Sequence, residues 1–401
     1  MLRNAISRIA VPLVAVGLVL LARDAVAQRG PVARTLTEQE MVDMMVGSSI
    51  QASRSSDSQA LITRVKELMA QGRVFTMLPI DALPDDWTVV VPSGVGGGGA
   101  WEYVRERTTA QKLPTITDAT VRAIQALGRH TGKTFQAIVR TEAAGATLSA
   151  FTAASSLGIP VVDACPAGRA VPEMAQQTPS LVGLLGSPAA MVTRWGDTLI
   201  VDKAIDDHRL EDLSRAVAVA SGGAVQVAHH AISGRDTKRT MIPGSVSQAI
   251  LFGRTVREAR EQGRDPIAAL LTVASGFKLF HGIVINADVK GERGFTWRNI
   301  ELRGLKEFEG HTYKVWVKNE NLVAWLDGRP DAMAPDLIAN LDPKTGDTIF
   351  GEGLGAYPMG AEVVMVGIPA SPLWRTPKGI ETLGPRHFGF DFEYVPLELL
   401  Q

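Results

Sequence analysis

Between Ile159 and Met174 the chain reads I-P-V-V-D-A-C-P-A-G-R-A-V-P-E-M, and several kinds of reactive side chain crowd one short loop. Asp163 and Glu173 are carboxylates able to take or give a proton. Cys165 is a thiol, nucleophilic once ionised, and Arg169 offers a planar fork of donors to a carbonyl or carboxylate. Pro160-Val161-Val162 reads as a short buried strand that ends on Asp163, after which Pro166, Gly168 and Pro172 break any regular structure. In open α/β sheets ligands gather beyond the carboxyl ends of strands, which is where this loop falls. The plainer alternative is that Asp163 caps a turn and Arg169 pairs with Glu173 to hold the loop.

Two further stretches place polar groups in the same way. Thr88-Val89-Val90-Val91 is a strand running into Pro92-Ser93-Gly94-Val95-Gly96-Gly97-Gly98-Gly99, and Phe135 to Arg140 is a strand delivering Glu142. A glycine-rich loop can present backbone N–H groups to an anion or a carbonyl oxygen, so Ser93, Gly96, Gly97 and Gly98 are candidate substrate contacts, together with Arg169 and Glu173. A simple turn would use those glycines equally well. No G-x-G-x-x-G opens a helix here, which removes the dinucleotide reading. Asp163 and Glu142 are the candidate bases, expected to line one cleft. Cys165 is the sharper alternative as a nucleophile, against the plain reading of a small buried residue. His229 and His230 follow the strand Val225–Ala228, and strict alternation would send them to opposite faces, unable to share one ion. None of the seven histidines stands in a metal-binding spacing. No metal site is therefore expected, and no cofactor is legible.

The elements that must position these residues are read from periodicity. Thr37-Glu38-Gln39-Glu40 is a capping box opening a helix with Met41, Met44 and Met45 on its apolar side. Leu61, Val65 and Leu68 mark a second helix, Val121, Ile124 and Leu127 a third, and Leu148 to Leu157 a fourth. Strand and helix alternate with short connections, so the first part should be an α/β domain with a mostly parallel sheet, covering residues 28–203. Residues 204–401 should hold a helical segment and then a β-rich α+β domain: Asp207 and Ser245 start helices, and from Phe280 the pattern turns to period two. With 401 residues there is room for both cores, and a net charge of -1 gives no basic surface for nucleic acid. Arg3 and Arg8 precede an apolar run from Ile9 to Ala22, and Ala25-Val26-Ala27 follows. That is a signal peptide over residues 1–27 with cleavage after Ala27, so a periplasmic or secreted protein with no stable membrane span after cleavage is expected. One cysteine excludes an internal disulfide.

Several stretches jointly resemble the S-methyl thiohydantoin desulfurase domain family. They are R-T-L-T-E-Q-E from Arg34, V-V-D-A-x-x-x-G-R-A-x-P-E from Val161 to Glu173, I-P-G-S at Ile242 and N-E-N-L-V-A-W at Asn319. P-D-L-I at Pro335, G-I-P-A-x-P-L-W-R-T-P at Gly367, G-P-R-x-F-G at Gly384 and Y-V-P-L-E at Tyr394 complete the set. The resemblance implies an α/β domain followed by a β-rich one. It also implies hydrolysis of a hydantoin or S-methyl thiohydantoin ring, by water attacking a ring carbon and expelling a thiol or opening a C–N bond. Three departures set this chain apart. The family's glycine-rich G-T-G-G-G-G-D loop is here G-S-S-I-Q-A-S-R-S-S-D-S from Gly47. Its E-I-G-G-x-N-S stretch is here Glu142-Ala143-Ala144-Gly145-Ala146-Thr147-Leu148, and Cys165 stands where many members carry an acidic residue. The opposing expectation is a non-catalytic secreted relative that binds a small ring compound. Either way the expected partner is a small molecule, with self-association left open.

Overall fold

The computed structural model describes residues 32–52, 57–349 and 357–401. The expected leader and its cleavage point lie outside the described residues, as do residues 53–56 of the serine-rich stretch. From Ala33 onward, β1 (Arg34–Thr35) leads into α1 (Glu38–Ile50). There the expected box forms: the Thr37 hydroxyl accepts from the Glu40 N–H, and the Glu40 carboxylate accepts from the Thr37 N–H. Asp57 caps α2 (Ser58–Ala70), which leads to β2 (Thr76–Leu78). Then come β3 (Thr88–Gly96), α3 (Glu102–Ala110), α4 (Ala119–Thr131), β4 (Ala137–Ile138) and α5 (Gly145–Leu157). Next are β5 (Val161–Val162), β6 (Ala164–Cys165), β7 (Ala189–Thr193), β8 (Thr198–Val201) and α6 (Asp207–Ala220). The segment closes with β9 (Ala224–Ser233), α7 (Gly234–Thr240), β10 (Ile242–Pro243), α8 (Ser245–Glu261) and α9 (Pro266–Ala274).

The eight-stranded sheet has the order β1-β2-β5-β4-β3-β9-β7-β8. Its centre, β2-β5-β4-β3, is parallel, as the strand–helix alternation predicts. β9 and β7 extend it in antiparallel fashion. The strand after Val91 does not stop at the proline: β3 continues through Ser93 to Gly96, so half of the expected glycine loop is sheet. Helices cover the sheet through a core that includes Met41, Met44, Ile50, Phe75, Phe151 and Phe252. α1 and α8 cross almost backbone to backbone. A Cβ on Gly47 would stand 1.8 Å from the Ala249 carbonyl oxygen, and one on Gly253 would stand 1.8 Å from that of Asp43. This contact sets the N-terminus of α8 beneath the end of β5.

The β-rich part comprises β11 (Phe277–Glu292), β12 (Phe295–Gly304), β13 (Thr312–Lys318), β14 (Glu320–Leu326), β15 (Arg329–Met333), β16 (Leu337–Leu341) and β17 (Glu362–Ile368). They form one antiparallel sheet in the order β15-β14-β13-β12-β11-β17-β16. Tyr313, Val315 and Val317 alternate inward onto Phe280 and Leu302, the period-two pattern made solid. The sheet curls into a half-barrel, so that Asn321 of β14 donates to the Ile338 carbonyl of β16 at 3.0 Å. The tail beyond β17, with α10 (Pro377–Leu383), folds back onto the first part. Trp374 is fully buried and its Nε1 donates to the Ala167 carbonyl at 2.8 Å.

Candidate active site

The pairing of β3 with β4 ends at Val90 and Ile138, while its pairing with β9 runs on to Gly96 and Ala224. One side of β3 is thus left uncovered beyond the end of β4. There the sheet edge, the loop after β4 and the loop around Glu173 enclose a cavity of about 290 Å³. Ser93, Gly96, Gly97, Glu142 and Glu173, all singled out from sequence, line it. So do Thr141, Gln177 and Arg215, which sequence reasoning passed over. The size suits one small ring compound, at the low end of ligand sites.

A chain of polar groups runs from this cavity into the protein. Ser93 Oγ lies 2.5 Å from His229 Nε2 and 2.8 Å from Thr141 Oγ1. His229 Nδ1 lies 2.6 Å from His230 Nδ1, and His230 Nε2 lies 3.0 Å from the Leu184 carbonyl oxygen and 3.7 Å from Asp207 Oδ2. Asp207 is fixed in turn by the Gly186 N–H at 2.7 Å and by the Ser180 hydroxyl. The expectation that the two histidines diverge is therefore overturned. The β3–β9 register shifts between Val89 and Val91, and His230 adopts φ 46°, so alternation fails at this point and the rings meet edge to face at 4.9 Å. A histidine in the left-handed region is uncommon and costs backbone energy. Burial pulls His229 well below the ordinary histidine range, and His230 beside it adds to the effect. Burial lowers His230 as well, against the opposing pull of Asp207 and the Leu184 carbonyl. Both rings are neutral at neutral pH.

The loop from Asp163 to Arg169 is wired differently. Asp163 does not line the cavity with Glu142: its Oδ1 accepts from Val246 N–H at 2.9 Å and Ser247 N–H at 3.0 Å, and its Oδ2 accepts from the Ser247 hydroxyl. It holds the first turn of α8, where a negative charge is favoured. Arg169 does not pair with Glu173. It donates to the carbonyls of Ala170, Pro335, Asp336 and Asn321 at 2.7–3.1 Å, tying the loop to the β-rich part. Burial draws its guanidinium down to about 10, against the pull of Glu320 and Asp336. Cys165 is completely buried, donates to the Thr141 carbonyl and accepts from the Gly168 N–H. Burial pushes its thiol up, against Arg140, so it stays protonated. Glu142 accepts from the Val171 N–H at 3.0 Å at the cavity wall.

The glycines have a steric reason. A Cβ on Gly97 would stand 2.1 Å from the Gly294 carbonyl oxygen, and one on Gly98 would stand 2.4 Å from Gly291 Cα. They let the β11–β12 turn approach the sheet, and the Gly97 N–H is taken by the Gly223 carbonyl at 3.2 Å. Arg215 braces the same wall, donating to the carbonyls of Gly96, Gly294 and Pro172 and pairing with Glu211. At the rim Glu173 is held by Lys318 and by His387 Nε2 at 2.8 Å. Its burial would raise its carboxyl, yet His387 and Lys318 outweigh that and bring it to about 2. Among the described residues no group of three histidine, cysteine or carboxylate side chains is arranged to hold a metal ion, and no helix is long and apolar enough to cross a membrane.

The matches with known families cover nearly all of this architecture. Residues 39–203 match the S-Me-THD-like N-terminal domain, and residues 205–397 match the S-Me-THD-like C-terminal domain. The chain belongs to the S-Me-THD-like family. The S-Me-THD-like chain is similar in fold to a protein from Chromobacterium violaceum solved by X-ray crystallography in a structural genomics programme. The two share 19% identity with a TM-score of 0.71, over 91% of this chain and 100% of the other. No functionally curated protein matches the chain.

Proposed function

We propose that this S-Me-THD-like chain hydrolyses a small five-membered cyclic amide of the hydantoin or S-methyl thiohydantoin type. The observation that supports it is a cavity of about 290 Å³ whose wall carries both a hydroxyl bonded to a neutral imidazole and a carboxylate. Attack on a ring carbon needs an oxygen nucleophile relieved of its proton, and the departing sulfur or nitrogen needs a proton in return. His229 can take the first and Glu142 can manage the second. Gln177 is buried and donates to Thr141 Oγ1, while its Oε1 has no partner among the described residues. That oxygen can accept from a ring N–H. Ser93 and the Gly96 wall then hold the ring flat against the sheet edge. The protein is further proposed to be exported and cut after Ala27, which N-terminal sequencing of envelope material would check.

The test is a panel of hydantoins, S-methyl thiohydantoins and open-chain analogues, followed by release of thiol or loss of the ring. Turnover of a ring compound is expected, with Glu142→Gln lowering kcat by about 10²–10⁴-fold while the folded state is kept. Ligand-dependent rises in melting temperature without any turnover would establish a binding protein instead.

A further inference from the structure

We propose that Ser93 is a covalent nucleophile, activated by His229 and aligned by His230 and Asp207. The proposal rests on the hydrolytic reading for its substrate, but its geometry stands without it. A carbonyl can only accept, so the contact of His230 Nε2 with the Leu184 oxygen at 3.0 Å places a proton on that nitrogen. His230 Nδ1 is then the acceptor, and the 2.6 Å contact requires His229 to carry its proton on Nδ1. That leaves His229 Nε2 with a lone pair directed at the Ser93 hydroxyl 2.5 Å away. The one hydroxyl proton can turn to Thr141 Oγ1 or to the imidazole, and the imidazole is the stronger base. The tautomers are thus fixed from the far end of the chain, as a nucleophile–base–orienter arrangement requires. The near end opens on the cavity, because Ser93 lines it while His229 is wholly buried behind.

The reaction balances in two steps. Ser93 Oγ bonds to the ring carbon and its proton passes to His229 Nε2. The imidazolium charge is shared with His230 and faces the Asp207 carboxylate, 3.7 Å from His230 Nε2. The bond from that carbon to sulfur or nitrogen breaks, and the leaving atom takes a proton from Glu142 on the cavity wall, giving a serine-bound ring or ring-opened ester. Water then attacks the same carbon, gives one proton back to Glu142 and keeps its hydroxyl on the product, while His229 still holds the proton taken from Ser93. The C–Oγ bond breaks and Ser93 recovers the proton. No redox partner is needed. His229 is the base; His230 and Asp207 are positioning residues.

The experiment treats the full chain with small serine-directed reagents, methanesulfonyl fluoride and diisopropyl fluorophosphate, and maps the adduct by mass spectrometry. One adduct is expected, on the peptide containing Ser93, absent in Ser93→Ala. Its rate should rise with pH as His229 loses its proton, and fall by about 10²–10⁴-fold in His229→Gln. If His229→Gln does not fold, His230→Gln serves, with slower labelling and a displaced pH profile at an unchanged site. Absence of any Ser93 adduct on folded protein that turns over a ring substrate would overturn the proposal and leave water as the attacking group. A Ser93 adduct on protein that turns over no ring compound would keep the nucleophile and remove the proposed substrate class.

Discussion

Two buried polar constellations lie on either side of the loop after β4, and they differ in how their hydrogen bonds end. Around Arg169 most of the strong hydrogen bonds end on backbone. Its guanidinium holds carbonyls of β14 and of the Pro335–Asp336 turn. Asp336, wholly buried, accepts from the Ala370 and Leu397 N–H groups and from Arg375 and Tyr394. Around His229 two imidazoles and a hydroxyl bond to one another in a line that ends at a cavity, with the Asp207 carboxylate 3.7 Å behind His230. Burial is equal in the two places, so burial does not separate scaffold from chemistry. What separates them is whether the network closes on backbone or ends where a ligand can sit.

The largest effect expected from this contrast is on stability. Arg169→Met leaves several buried carbonyls without their donor and removes the cation beside Glu320 and Asp336, a loss on the order of 3–5 kcal/mol. Chemical denaturation should show it as a lower midpoint. Arg169→Lys should lose much of the same, because an ammonium cannot span the fork. A wild-type midpoint with lost ligand affinity would instead place Arg169 among the substrate contacts.

Next in size is an effect of pH at Glu173. Its carboxyl is held at about 2 in the folded protein against an ordinary 4.5, so the folded state binds fewer protons there than the unfolded chain. The resulting stability, on the order of 3 kcal/mol, is fully present above about pH 4.5 and fades as the pH falls toward 2. Glu173→Gln should flatten that part of the stability–pH curve. An unchanged acid limb would mean that Lys318 and His387 do not hold the carboxylate in solution.

The same contrast explains what the sequence could tell. Most of the motifs that carried the family resemblance meet at the Arg169–Asp336 junction: Asn321 belongs to one of them, Trp374 and Arg375 to a second and Leu397 to a third, and Arg169 and Asp336 come from two others. They report the fold, and the fold was legible, down to the capping box at Thr37 and the inward alternation of β13. Ser93 and Glu142 were legible as strand-end polar groups. The histidine pair was not, because alternation along a strand was assumed and a single residue at φ 46° undoes it. Asp207 read only as a helix start, and nothing in its spacing ties it to residues 229 and 230. The Gly96–Gly98 run looked like an anion cradle, whereas backbone approach from Gly291 and Gly294 accounts for Gly97 and Gly98.

A smaller effect is expected at Asp163. Asp163→Asn keeps the shape but removes the charge facing the first turn of α8, a loss of about 1 kcal/mol. Thermal melting should register it, while the proposed ring turnover by the folded protein stays as in the wild type. A drop in kcat without a change in stability would return Asp163 to the site.

The smallest effect is expected at Cys165, and it is the sharpest test of the contrast. Its thiol is closed inside the loop, with the proton given to the Thr141 carbonyl and the sulfur accepting from Gly168 N–H. Burial raises the thiol further, so the thiolate that alkylating reagents need is scarce in the folded state. Iodoacetamide should therefore react only on unfolding, and Cys165→Ala should cost about 1 kcal/mol for the two weak contacts. Turnover and Ser93 labelling should stay at wild-type rates. Thr141 makes this informative, because its carbonyl holds Cys165 while its hydroxyl contacts Ser93. Rapid alkylation of the folded protein, with Ser93 labelling slowed alongside, would show that the scaffold side and the relay side act as one site through that residue.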